Sequence, residues 1–466
     1  MSGRPLEVAR AALRGERCWI VGGAVRDELL GLPAGRDLDL VMGDRVEEAA
    51  RAVAREAGEA VAFSLSDEFG GWRVVSRGGD WQIDLNPLRG DSIEADLRLR
   101  DFTVNAIARP LEGGAALDPL AGEADLRAGL LRLAAPDALE ADPLRALRLV
   151  RLVCELAFEV EAQTAAAARD AAGGLARVAG ERVYLELARV LASERASDGV
   201  RLMLDLGIGS YVLPELEELR GVAQSRYHHL DALDHTLAVL DQVALLERDG
   251  GAVFGEEHVP AIRELLAEPL ADELPRATAL RFGALTHDIA KGRTAKVFDD
   301  GRVGFPGHDE LGASMARAIL ERMRAAERMR AHVAALTRNH LRLGFLVHEA
   351  PLDRGGVYAY LDACDPVGAD VTLLSVADRL ATLGERAEEA IERHLALARG
   401  LIGDALAWHR DGRPAPLIRG DALAHSLGIE PGPPLGELLA AIAKEAYAGT
   451  LRSAEDAIAF ARERLA

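Results

Sequence analysis

Cysteine is nearly absent: Cys18, Cys154 and Cys364 are the three in the chain, far apart and with no paired spacing. That excludes a disulfide framework and a cysteine zinc site, and it fits a reducing compartment such as the cytoplasm. Lysine is equally scarce, occurring at Lys291, Lys296 and Lys444 alone, so any contact with a polyanion must come from local arginine clusters. No apolar run approaches the ~18 residues that span a bilayer. The N-terminal "MSGRPLEVARAALRGER" carries charge where a signal peptide needs an apolar stretch. A soluble, unprocessed protein with no membrane partner is expected. Internal repeats and low-complexity tails are also missing.

The net charge is −20, with 25 basic against 34 acidic residues over positions 1–200. Residues 301–350, with eight basic against five acidic residues, are the one stretch with a positive balance. At 466 residues and 49% hydrophobic the chain is too long for one core and divides into three or four domains. Its first ~130 residues hold short β-like runs, "CWIVGG", "LDLVMG", "WRVVS" and "WQIDLNP", separated by turns. After residue 134 long Ala/Leu/Arg/Glu segments at helical spacing take over. The fold class is therefore an α+β head, a mixed sheet with helices, followed by an all-α body. Breaks are expected near 134–141, 214–225, 401–416 and at "GIEPGPPLG" (428–436).

The chemistry concentrates in "CWIVGGAVRDELLGLPAGRDLDLVMGD" (18–44). A strand ending in Gly22-Gly23 and followed by a helix exposes backbone N–H groups to an anion, and Arg26 adds a charge one turn in. The same turn also serves purely structural ends. Asp37 and Asp39 sharpen the reading: on a strand, i and i+2 share a face, so two carboxylates stand side by side while Leu38 faces the core. Such a pair is unfavourable unless a cation sits between them, and oxygen ligands favour Mg²⁺. Asp84 in "WQIDLNP" is a candidate third carboxylate from a neighbouring strand.

A glycine turn with paired aspartates describes two-metal phosphoryl transfer. Here the sequence resembles the polymerase-β-like nucleotidyltransferases, specifically the class II CCA-adding tRNA nucleotidyltransferases and bacterial poly(A) polymerases. "LRDFTVNAIA" (99–108) is similar to their RRDFTxNA block, with Leu99 in place of the first arginine. The resemblance implies roles for Arg100 and Asp101 at the ribose and phosphates of an incoming nucleotide. "ADPLRALRLVRL" (141–152) resembles the EDPLRxLRxxR block, with Ala141 in place of Glu. It implies that Asp142 and Arg145 read the Watson–Crick edge of CTP or ATP and that Arg148 meets phosphate. "GERVYLEL" (180–187) resembles the family's neck helix, and "DLNPLRGDSIEADLRLRDFT", shorter than in many members, bears on which nucleotides are added.

The middle of the chain carries His235, His287-Asp288, His308, His340 and Asp378. Imidazoles and carboxylates spread over helices can converge on one divalent metal, although single histidines on such helices are more often buried and satisfied. The order H…HD…H…H…D resembles the HD phosphohydrolase superfamily. That resemblance implies that His235, His287, Asp288 and Asp378 bind a divalent metal, with His308 and His340 as further ligands or phosphate contacts.

The resulting expectation is a nucleotidyltransferase head over 1–133, a helical neck and RNA-binding region over 134–225, an HD domain over 226–400 and a helical tRNA-binding tail over 401–466. The expected activity is template-independent addition of C, C and A to the 3′ end of tRNA. The alternatives are addition of CC or A alone, a poly(A) polymerase, and an HD phosphohydrolase acting on RNA 2′(3′)-phosphates with an RNA-binding head.

Overall fold

The β-like runs at the start of the chain pair into one six-stranded sheet in a computed structural model, which describes residues 3–465 apart from 34, 67–69, 225–228 and 385–386. The strands are β1 (Cys18–Val21), β2 (Asp37–Met42), β3 (Ala60–Ser66), β4 (Gly71–Ser76), β5 (Gln82–Pro87) and β6 (Ala108–Pro110). Their order is β3-β4-β5-β2-β1-β6, with β2 and β5 parallel and every other pair antiparallel. β3 adds a strand to the expected runs. Its alternation of Val61, Phe63 and Leu65 is a strand pattern, but one whose apolar residues are exposed.

Between β1 and β2 runs helix α1 (Gly23–Leu29), and after β2 comes α2 (Val46–Ala57). The helix α2 is amphipathic, burying Val46, Ala49, Ala50 and Val53, and it covers one face of the sheet over β3, β4 and β5. The other face is roofed only at one end. There Trp19, Val21 and Val41 pack against Ile93, Leu97, Ala106 and Ala108.

Two compact units emerge. Met1–Val178 with Leu202–Val212 form one, and Ala179–Arg201 with Leu213–Ala466 form the other. The first includes helix α3 (Leu144–Leu156). The second is built on α4 (Ala232–Arg248), α5 (Arg276–Thr286), α6 (His308–Arg322), α7 (Glu327–Asn339), α8 (Gly368–Ala381) and α9 (Ala387–Asp411). The division expected at 225/226 lies outside the described residues. The one expected at 400/401 falls inside α9, whose stripe of Leu397, Ala398, Leu401, Ile402 and Ala405 is buried. Gly400 and Gly403 are tolerated there because that packing outweighs their weak helix propensity. The chain turns only at Gly412, with φ 79°, ahead of Pro414 and Pro416. The expected break at 428–436 is present between helices Gly420–Leu427 and Pro433–Ala448, which share a small core of Leu423, Leu435, Leu438 and Ile442. No helix among the described residues is long and apolar enough to cross a membrane.

One buried ion network ties the second unit together. Asp370 on α8, with no exposed surface, accepts from Arg276 Nε at 2.8 Å and Nη2 at 2.5 Å, and His332 Nε2 of α7 stands 3.5 Å away. The network joins α5, α7 and α8. Burial opposes ionisation of Asp370, but bonds from His332 and Arg276 hold its carboxyl far below the usual range. Arg276→Met leaves that buried charge without its main partner and should cost about 3–5 kcal/mol. Urea unfolding followed by circular dichroism checks it, and an unchanged midpoint would refute it.

Candidate active site and metal centre

Gly22 carries the turn at the end of β1. Its φ of 72° with ψ of −139° is a conformation that side-chain-bearing residues avoid, so glycine is required before α1 can begin. The register β1–β2 sets Val21 opposite Asp39, and the parallel register β2–β5 sets Asp39 opposite Asp84. A side chain at Gly22 would lie 3.4 Å from both Asp39 Oδ2 and Arg100 Nη1. Turn, carboxylate and guanidinium thus meet at one point.

Asp37 is exposed, Asp39 half-buried and Leu38 buried, as alternation along a half-covered strand requires. Burial first, and the charges of Asp84 and Asp37 with it, push the Asp39 carboxyl up to about 6 against the opposing pull of Arg100 and Arg73. A carboxyl so destabilised as an anion, with the carboxylates of Asp37 and Asp84 as its acidic neighbours, fits a hard divalent ion. Asp84 is held differently. Its two oxygens accept from Arg73 Nε at 2.7 Å and Nη2 at 2.8 Å. The two groups of three acidic, histidine or cysteine ligand atoms found among the described residues lie in the second unit.

Behind the turn a chain of bonds joins the expected nucleotide contacts. Buried Arg26 donates through Nη1 to Asn105 Oδ1 (2.9 Å) and through Nε to Asp27 (2.8 Å). Asn105 donates to Asp101 Oδ1 at 3.1 Å, and Arg148 Nη1 donates to Asp101 Oδ2 at 3.1 Å. Burial would raise the Asp101 carboxyl, but Arg148, Asn105 and the Phe102 N–H together lower it. Arg100 donates to Asp96 Oδ1 through Nε and Nη2 at 3.2 and 3.1 Å. Arg145 departs from a free base reader: its guanidinium bonds the carbonyls of Leu99, Arg100 and Ala138 at 2.8, 3.2 and 3.1 Å. Asp142 follows the short helix Ala138–Ala141 and accepts from the Leu144 N–H at 3.2 Å.

Sequence reasoning missed Asp96, Asn105 and Arg73. The first two had signals, since Asp96 is four residues before Arg100 on one helical face and Asn105 lies inside the "RDFTVNA" block. Arg73 had none, because its pairing with Asp84 depends on strand register.

In the second unit six side chains from separate helices converge. His235 is on α4, His287-Asp288 follow α5, His308 opens α6, His340 follows α7 and Asp378 is on α8. They fall into two groups, His235, His287 and Asp378 in one and Asp288, His308 and His340 in the other, each with ligand atoms within 4.8 Å of one another. Asp288 groups with His308 and His340 and also borders His287 and His235 of the expected four-ligand set. Its two oxygens face both ways: Oδ2 is 3.1 Å from His287 Nε2 and 3.8 Å from His235 Nε2, and Oδ1 is 3.3 Å from His308 Nε2.

The ring orientations fit metal ligation. Nδ1 of His287, His308 and His340 each faces a backbone carbonyl, of Ala284, Phe305 and Thr337, at 2.8, 2.7 and 2.6 Å. A proton on Nδ1 leaves the Nε2 lone pair aimed inward. His287 Nε2 and Asp288 Oδ2 are buried and face each other at 3.1 Å, and against burial the charges of His287 and Lys291 hold the Asp288 carboxyl well below the usual range, so it stands as the anion a cation binds. Burial, then the charge of His287, lowers the His340 imidazole to about 4, so it stands neutral as a ligand must. Lys291, with Nζ 2.6 Å from Asp288 Oδ2, and Arg379 border a cleft of about 470 Å³ over these residues. That is a cationic rim suited to phosphate.

Three domain families match the chain: the poly A polymerase head domain over residues 74–132, the "Probable RNA and SrmB-binding site of polymerase A" over 157–219, and the HD domain over 232–383. An A-adding tRNA nucleotidyltransferase of Deinococcus radiodurans is 36% identical over 447 residues, covering 95% of this chain and 94% of its own. A CC-adding tRNA nucleotidyltransferase of Thermus thermophilus is 35% identical over 452 residues, covering 94% and 92%. Among solved structures, a Bacillus stearothermophilus CCA-adding enzyme in complex with CTP shares the fold with a TM-score of 0.65 at 20% identity, covering 99% of this chain and 98% of its own.

The two clusters generate one prediction. His287→Ala should lower retained divalent metal at least tenfold, the scale on which ligand shells act, while Asp37→Ala leaves that retention unchanged. Metal analysis after dialysis with one equivalent of Mn²⁺, Ni²⁺ or Zn²⁺ reads it. Equal retention by His287→Ala and the parent chain would remove the histidine site.

Proposed function

The chain belongs to the tRNA nucleotidyltransferase family, and on that footing we propose that it extends the 3′ end of tRNA without a template, adding C, C and A from CTP and ATP in the cytoplasm. The observation that carries this is the meeting of Gly22, Asp39 and Arg100 at one point beside Asp37. Asp37 and Asp39 would hold Mg²⁺, which when bound neutralises the triphosphate and eases deprotonation of the attacking ribose hydroxyl. The N–H groups at the Gly22-Gly23 turn and Arg26, fixed by Asp27 and Asn105, bind the phosphate tail. Arg100 stands at the same point and adds charge. Asp84, oriented by Arg73 and opposite Asp39 on the next strand, would take the hydroxyl proton.

Base choice falls to Asp142 and Arg145. A carboxylate accepts from the amino group that C and A share, and a guanidinium donates to a ring nitrogen or carbonyl. U and G lack an amino group at the matching position. Three of the five N–H bonds of Arg145 anchor backbone, which fixes the plane of the guanidinium and leaves two donors for a base edge. Addition of A alone or of CC alone is a second reading, supported by the A-adding and CC-adding relatives that each align over nearly the whole chain. In the second unit, the convergence of His235, His287, Asp288, His308, His340 and Asp378 beside a cleft bordered by Lys291 and Arg379 supports a metal-dependent hydrolase that trims 2′(3′)-phosphates from RNA ends. The ion there would activate water beside a phosphate held by Lys291 and Arg379.

The test uses tRNA lacking CCA and tRNA ending in CC, each with Mg²⁺ and either labelled CTP or labelled ATP. The full activity incorporates C on the first and A on the second. A on the second substrate without C on the first selects the A-adding reading, and extension of a non-tRNA primer by many A residues would select a poly(A) polymerase. Asp37→Ala should lower incorporation at least about 10³-fold with the melting temperature unchanged. Retained activity in that variant would refute the metal assignment in the head.

A further inference from the structure

The sheet face that bears the carboxylates does not end at Asp84. Register carries it across two more strands: Asp39 on β2 is opposite Asp84 on β5, Asp84 is opposite Arg73 on β4, and Arg73 is opposite Phe63 on β3. The neighbouring row runs from Asp37 through Gln82 and Val75 to Val61. This outer region lies beyond the roof that covers Trp19, Val21 and Val41. Val61 and Phe63 are 61% and 45% exposed, whereas Ala62, between them, faces the covered side with buried Val74 opposite. An aromatic ring and a β-branched side chain exposed beside a catalytic row are unexplained by folding.

We propose that Phe63 and Val61 form the stacking platform for the 3′-terminal bases of the RNA acceptor strand, with Arg73 beside its last phosphate. This rests on the nucleotidyltransferase reading of the head. The argument is one of direction. Phosphoryl transfer places the attacking and leaving oxygens in line through the reacting phosphorus. The leaving pyrophosphate belongs to the Gly22-Gly23 turn on the β1 side of Asp39, so the ribose hydroxyl must approach from the other side, over β5, β4 and β3. At roughly 4.8 Å per strand, Phe63 lies about 10 Å from Asp84, close to the base that carries that hydroxyl or to the one behind it.

An exposed phenyl ring accepts any base by its π-face, which suits a primer end whose bases change as addition proceeds. Arg73, still a third exposed in its pair with Asp84, presents its remaining guanidinium edge to the phosphate on the same row. The platform therefore supplies grip without sequence preference, and base choice stays with the incoming nucleotide.

Two measurements test it on the full chain. In steady-state incorporation, Phe63→Ala should raise the KM for tRNA about tenfold or more, the effect of losing one base–aromatic stack, while the KM for CTP or ATP stays within twofold and Phe63→Trp restores the parent value. In binding, an acceptor-stem RNA with 2-aminopurine at its 3′ end should be quenched by the parent chain and by Phe63→Trp but not by Phe63→Ala. Quenching that depends on Phe63 without any incorporation would leave the platform standing and sink the enzymatic reading. Incorporation with an unchanged tRNA KM and unchanged quenching in Phe63→Ala would overturn the platform, as would a defect confined to the nucleotide KM. The Phe63→Ala melting curve should match the parent because the ring is exposed.

Discussion

Carboxylates brought closer together, or buried more deeply, than their own charge allows are the constraint on which both units of this chain are built. Most of them are balanced within the protein. Asp370 has Arg276 and His332, Asp101 has Arg148 and Asn105, and Asp96 has Arg100. Asp288 has Lys291 and His287, and the exception is Asp39, pushed up to about 6 by burial and by its acidic neighbours. A fold that pairs these buried carboxylates and leaves Asp39 strained has stored the cost where a cation can release it. Function follows from that imbalance.

The balanced carboxylates matter because they position the candidate metal ligands. Arg276, Asp370 and His332 join α5, α7 and α8, and His287, His340 and Asp378 lie at or near the far ends of those same helices. In the head, Asp101 links Asn105 to Arg148, and Asn105 links Asp101 to Arg26, so one chain of bonds runs from α1 to α3. Such networks lose several kcal/mol when one partner is removed, which makes them positioning devices as much as stabilising ones. The candidate metal ligands are thereby held at fixed distances, and direct contacts such as His235 Nε2 to Asp378 Oδ1 at 3.0 Å add to that support.

The strongly acidic chain meets an anionic substrate by locating charge instead of spreading it. The net charge of −20 repels nucleic acid at long range, yet Arg26, Arg100, Arg145 and Arg148 fall within one connected region of the head. Arginine suits this use because its planar guanidinium can anchor to backbone or carboxylate on one edge and leave donors on another, as Arg145 does on the carbonyls of Leu99, Arg100 and Ala138. The near-absence of lysine fits the same logic.

Local pattern alone carried a large share of this reading. The diglycine turn is legible because only glycine adopts the conformation at Gly22, and the metal strand is legible because alternation forces Asp37 and Asp39 onto one face whatever the rest of the fold does. The HD doublet and its scattered histidines could be listed from sequence, as could the change from strands to helices after residue 134. What sequence could not supply is anything that depends on which strand or helix end lies beside which. The division of six metal-facing side chains into two groups around Asp288, the capture of Asp84 by Arg73, and the continuation of helix α9 through 400/401 are all of this kind. So is the row that runs from Asp39 to Phe63. Periodicity along a chain is set by backbone geometry and is local, whereas register between strands and convergence of helix ends are set by the packing of residues far apart in sequence, and only the folded structure decides them.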